Sequence, residues 1–167
     1  MLGCKIHCVV TTYVSMNRSI SRAFLVTALV SGCASTVAVK PVKTPASEID
    51  AVCIERNEEV LVDDLLPVIE AAFRRNGIEA RVFDTSPAPC QYRVKYTASR
   101  RWDLTPFLSD ARISIYQNRE LIGEATYSLP SGIFGGGGIN PDKWRGTAFK
   151  IDPIMDQMLI AVRRSRS

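Results

Sequence analysis

Tyr92, Val94, Tyr96 and Ala98 are apolar, and Arg93, Lys95 and Thr97 between them are polar. Successive side chains of an extended strand point to opposite faces, so this stretch specifies a sheet with one buried and one wet side. The buried side needs a cover, and helical spacing supplies two. Leu65, Ile69, Ala72 and Phe73 recur at helical intervals, with Asp63 or Asp64 as the cap, Pro67 in the first turn and Asn76-Gly77 at the end. Asp152-Pro153 has the preferred order of cap and first helical residue. It predicts a last helix with Met155, Met158, Leu159 and Val162 on one face and Arg163, Arg164 and Arg166 at its end. Strands are predicted at residues 51–56, 79–84, 111–116 and 121–129, the last two forming a hairpin around Gln117-Asn118-Arg119-Glu120 with Gly123 as a candidate bulge. The order β-α-β-β-β-β-α predicts an α+β fold, a mainly antiparallel sheet with two helices packed on one face.

Well before these elements, residues 23–31 form an apolar run behind Arg18 and Arg22. A hydrocarbon core takes roughly 20 apolar residues to span, so this run is a signal-peptide core and not a permanent anchor. Its end, Leu29-Val30-Ser31-Gly32-Cys33, resembles the lipobox of bacterial lipoproteins. The resemblance implies removal of residues 1–32 and acylation of Cys33 on its thiol and freed amine, the several chains giving a persistent anchor. The competing account is a Gly-Cys pair that follows an apolar helix by chance, and the preceding arginines weigh against it. Ala34, in place of the Asp typical of lipoproteins kept in the inner membrane of enteric bacteria, implies sorting to the outer membrane. Residues 6–14 form a second apolar stretch ahead of the arginines, which makes Met16 the better start. Cys4, His7 and Cys8 have metal-like spacing but no fourth ligand, and His7 is the only histidine in the chain.

The expected organisation is a leader at 1–32, a lipidated cysteine with a flexible tether at 33–48, and a single periplasmic domain at 49–167. Residues 34–47 are small, polar and proline-bearing, without periodicity. Without the leader 135 residues remain, enough for one core, and 18 basic side chains stand against 17 acidic ones. That near-neutrality and export both argue against nucleic acid as a partner. An exported protein meets an oxidising compartment, which predicts that Cys53 and Cys90 pair; the alternative is two separate buried thiols. A Cys53 nucleophile has no histidine in the mature chain to activate it.

Cys53-Ile54-Glu55-Arg56-Asn57, Cys90-Gln91-Tyr92, Tyr96-Thr97-Ala98, Trp102-Asp103-Leu104, Lys143-Trp144-Arg145-Gly146-Thr147 and Lys150-Ile151-Asp152-Pro153 together resemble a family of small uncharacterised proteobacterial lipoproteins. The resemblance covers nearly all of the mature chain. It implies one compact exported domain and carries no activity with it.

Catalytic patterns are sparse. Without histidine in the mature chain there is no Ser-His-Asp or Cys-His pair, and no Gly-x-Ser-x-Gly turn is present. Asp63 and Asp64 are better used at a helix start than as an acid-base pair, and the Gly135 to Gly138 run lacks the Gly-Lys-Ser/Thr of a phosphate loop. The chain is therefore expected to be no enzyme and to use no cofactor or metal. Interaction surfaces are the alternative. Trp102, Phe107, Phe134 and Trp144 fall in or beside predicted loops, where an aromatic side chain either caps the core or anchors a partner. Phe134, between Gly132 and the glycine run, has little scaffold to hold it inward. Arg93, Lys95, Arg100, Arg101 and Arg112 predict a basic stripe on the wet face, whose ordinary role is solvation. The expectation is an outer-membrane lipoprotein facing the periplasm, with a non-enzymatic binding or scaffolding domain and an envelope protein as partner. The alternative is binding of a polar lipid or envelope polymer by the basic face.

Overall fold

The alternating strand runs well past its pattern, from Tyr92 to Asp103, and pairs along its whole length with a neighbour one residue longer. The computed structural model describes residues 35–43, 49–85, 89–129 and 141–165. In chain order the elements are β1 (Thr36–Lys40), β2 (Ala51–Glu55), α1 (Leu65–Arg75), β3 (Glu79–Phe83), β4 (Tyr92–Asp103), β5 (Thr105–Gln117) and β6 (Glu120–Ser128). A 3-10 helix (Pro141–Trp144), α2 (Thr147–Met158) and α3 (Ile160–Ser165) follow. The fold is α+β, in the expected order with one strand added at the front.

The sheet has six strands in the order β1-β6-β5-β4-β2-β3. Four of them form an antiparallel half, whereas β2 pairs in parallel with both β3 and β4. The β2–β3 pairing follows from α1, because a strand that returns through a helical crossover re-enters the sheet in its original direction. The sheet is thus mixed. Val52, Ile54, Val94, Ile113, Ile115 and Ala125 point toward the helices and are at most 1 % exposed, and they meet Leu65, Ile69, Ala72 and Phe73 of α1 and Ile151, Ile154, Met155 and Met158 of α2. At roughly 1.5–3 kcal/mol for each large apolar side chain removed from water, this layer is the main source of stability.

Three local expectations are corrected. Asp64 occupies the cap position of α1, but its side chain makes no capping hydrogen bond and instead accepts one from Arg100 at 3.4 Å. The last helix begins at Thr147 and not at Asp152, so Pro153 lies inside it. Thr147, Lys150, Ile151, Ile154, Met155 and Met158 are its buried stripe at three- and four-residue spacing, and that burial extends the helix upstream. The backbone hydrogen bond Pro153 cannot make would end on Phe149, a half-exposed residue in the first turn of the helix.

The third correction concerns the tether. Residues 36–40 form an edge strand along β6, from Thr36 opposite Ser128 to Lys40 opposite Glu124. Two residues further, Val42 is buried and its amide donates to the Met158 carbonyl at 3.0 Å. The fold therefore starts more than ten residues before Ile49.

Gly123 is buried beneath Val42, next to a register shift in the β5–β6 hairpin. A Cβ at Gly123 would stand 2.6 Å from Val42 Cγ2 and 3.5 Å from Val42 Cα. Valine is stiff and this one is enclosed, so Gly123→Ala is expected to cost about 1–3 kcal/mol, read from the thermal unfolding midpoint. Adding Val42→Ala should recover part of that loss, which a defect confined to the hairpin backbone would not allow.

Candidate interaction site

Thr36, Ser128, Asp110 and Ser99 form one row across β1, β6, β5 and β4. Beyond it β4 and β5 continue alone for four more pairs, ending at Asp103 opposite Thr105. At about 3.3 Å per residue the hairpin projects some 13 Å past the row. Leu104 turns its tip with φ 58°. Trp102 is 75 % exposed and Leu104 77 %.

The projecting tip is fastened from the side by the 3-10 helix. The Lys143 ammonium, 1 % exposed, pairs with the Asp103 carboxylate and lies 5.1 Å from the Phe107 ring centroid and 4.8 Å from that of Trp144. Trp144 Nε1 donates to the Asp103 carbonyl at 3.0 Å. Beneath them, Lys150 donates from Nζ to the carbonyls of Leu108 at 3.1 Å and Lys143 at 2.7 Å, close to the rings of Phe107 and Tyr127. Two buried ammonium groups are tolerable here because carbonyls, a carboxylate and aromatic faces replace their water. Phe107 thus caps the core, whereas Trp102 faces outward.

Lys143, Lys150, Asp103 and Leu104 are not legible as a unit in the sequence. A signal exists for Lys150, since a helix buried at 147, 151, 154 and 158 must also place residue 150 on its inner face.

The expected basic stripe is interleaved with acid. On the sheet face away from the helices Lys95 lies 3.5 Å from Glu55; farther along β4, Arg101 lies 3.6 Å from Asp110 and Arg100 reaches Asp64. On the same sheet, Arg81 hydrogen-bonds Glu79 at 2.9 Å, and that bond, with the arginine's charge, holds the Glu79 carboxyl below its ordinary value. Arg93 is part-buried with its Nε lacking a hydrogen-bond partner, and Arg112 is exposed. Arg112 borders a shallow depression of about 570 Å³ with Thr97, Ser99, Asp110, Thr126 and Ser128. The face is mixed in charge and hydroxyl-rich.

Cys53 on β2 and Cys90, just ahead of β4, are joined in a disulfide. Cys53 alternates with the core residues Val52 and Ile54, so the bond lies on the sheet face opposite the helices and fixes the β3–β4 connection there. Cys33 and Phe134 lie outside the described residues. A second depression, of about 540 Å³, runs between β1 and α2 and is lined by Ser35, Val37, Tyr127, Phe149, Pro153 and Gln157. Phe149 is 50 % exposed, and the Arg145 guanidinium stacks 4.0 Å from its ring centroid.

No protein-family model and no curated protein matches the chain. Among solved structures it is similar to a point variant of the PelC dodecamer from Paraburkholderia phytofirmans, at 12 % identity and a TM-score of 0.52, over 78 % of this chain and 98 % of that one. A structure titled a minor lipoprotein from Acinetobacter baumannii is matched at 15 % identity and a TM-score of 0.33, over 69 % of this chain and 94 % of the other. The first likeness shows a shared fold.

Proposed function

We propose that this protein is a lipoprotein anchored through Cys33 to the outer membrane, its domain serving as a non-enzymatic binding or scaffolding module on the periplasmic side. The carrying observation is the end of the β4–β5 hairpin. Trp102 and Leu104 are exposed there on a backbone fastened at Asp103 by Lys143 and Trp144, so a large apolar surface is held at a fixed place on the fold. Such apolar surface on a fastened backbone suits docking, against a partner or a bilayer surface, because little backbone ordering entropy is lost on contact. Among the described residues no helix is long and apolar enough to cross a membrane. Attachment in this reading therefore falls to the acylated cysteine.

The anchor is tested by growth on labelled palmitate. The wild-type protein is expected to carry label and to band with outer membranes in a density gradient, and Cys33→Ala to lose the label. A labelled Cys33→Ala protein, or wild type recovered with inner membranes, would contradict the respective half of the proposal. Binding of an envelope polymer by the opposite sheet face is the second reading, favoured by the unpartnered Arg93 Nε and the hydroxyl-lined depression beside Arg112. Pull-down from crosslinked envelopes separates the two, since the first gives a protein partner whose capture survives Arg112→Glu and the second a polymer lost with Arg112→Glu.

A further inference from the structure

The exposed apolar side chains of the described residues are not scattered. Seven large ones are exposed, and only Ile160, which follows α2, belongs to the opposite end of the sheet. Trp102 and Leu104 occupy the hairpin tip, and Trp144 is hydrogen-bonded to it. Leu61 lies in the loop whose Asp64 pairs with Arg100 near that tip. Val37 is at the start of β1 and Phe149 in the first turn of α2, where both line one groove with Ser35. Six apolar side chains thus converge on the end of the sheet at which β1 begins.

Leu104 adds a second observation. A leucine at φ 58° is unfavourable, and glycine or asparagine would relieve it. Its side chain is also left in water. Neither the backbone nor the core accounts for leucine at this position.

Chain length indicates what covers this surface. Ser35 sits at the same end, and Cys33 is two residues before it, a reach of at most about 7 Å. We infer that this end of the domain is seated in the interfacial layer of the bilayer that holds the lipid anchor, with Trp102 and Leu104 as the inserted residues. The inference rests on acylation of Cys33 as proposed above. Tryptophan suits that layer because its ring is apolar and its N–H polar, and flanking arginines keep their charge at the headgroups while their stems lie on apolar surface. Arg145 over Phe149 and Arg101 beside the tip are placed for this. Seating would orient the domain, which a single flexible attachment cannot do.

The chain contains two tryptophans, Trp102 and Trp144, and both lie at this end. The test uses the full acylated protein in phosphatidylethanolamine–phosphatidylglycerol vesicles doped with lipids brominated near the headgroup end or near the tail end of the chain. Shallow bromine is expected to lower tryptophan emission about two-fold and deep bromine to do less, because insertion is confined to the outer 5–10 Å or so of the leaflet. Trp102→Phe should remove most of the quenching. Leu104→Asn should weaken it while leaving the unfolding midpoint unchanged or higher, since asparagine suits the positive φ.

Protein that floats with the vesicles and carries label but shows no quenching would overturn the seating and leave the anchor intact. A blue shift that depends on protein concentration and not on lipid would also overturn it, by showing a second copy on this surface. Absence of label on Cys33 would overturn the anchor and, because the seating rests on it, the seating as well.

Discussion

Reduced protein, or the Cys53→Ala/Cys90→Ala double variant, is expected to unfold with a free energy roughly 2–4 kcal/mol below that of the oxidised chain. The cysteines are 37 residues apart, and the bond excludes from the unfolded ensemble every conformation in which they separate. The enclosed segment contains all of α1 and β3, so the bond closes around the parallel part of the sheet. Parallel pairing brings together residues distant in the chain and is slow to form, which makes a constraint on this half more valuable than one in the β4–β5 hairpin. Guanidinium unfolding of both forms measures the difference. A loss under about 1 kcal/mol would mean that the reduced chain already holds this loop closed.

The second large effect is expected at the buried lysine of the hairpin fastening. Asp103→Ala leaves the Lys143 ammonium buried without its carboxylate and should cost about 2–4 kcal/mol, the upper end reduced because the Asp103 side chain is 38 % exposed. Asp103→Ala/Lys143→Met removes the charge as well as its partner, and methionine keeps contact with Phe107 and Trp144. That double variant is expected to lie within about 1 kcal/mol of wild type. A double variant as unstable as Asp103→Ala would show that the Asp103 backbone, through its bond from Trp144, carries the fastening and the ion pair does not.

What is readable in the chain follows from how each element is buried. β4 shows its alternation because one face meets the helices and the other meets water, and α1 shows its stripe for the same reason. β1 reads as a tether because it is an edge strand whose five residues are almost all exposed, so nothing in its own pattern distinguishes strand from coil. Its partner β6 lies about ninety positions away in sequence, and local pattern carries no information over that distance. The parallel half is hidden because alternation gives the side chains' faces and not the strand's direction. At the candidate site, Trp102 and Trp144 are legible as aromatic residues near chain reversals. The means of holding them is not, since lysine is assigned to water unless the helix is first placed in its true register. Arg93, Lys95 and Arg112 lie away from the core, as their alternation requires. Their acidic neighbours come from other strands and become visible only once those strands are aligned.

The edge position of β1 has a mechanical consequence. If Cys33 is held in a bilayer, as proposed, tension between membrane and domain would enter the fold at Thr36. A pull along the strand axis loads the five β1–β6 pairs together, in shear, because the ladder bonds of an antiparallel pair lie across the direction of pull. Behind them Val42, enclosed under Gly123 and bonded to the end of α2, resists sliding of the strand as a knot resists a cord drawn through a ring. In that arrangement the first strand would act as a joint able to bear load, passing tension to the sheet across the whole β1–β6 ladder instead of peeling it open.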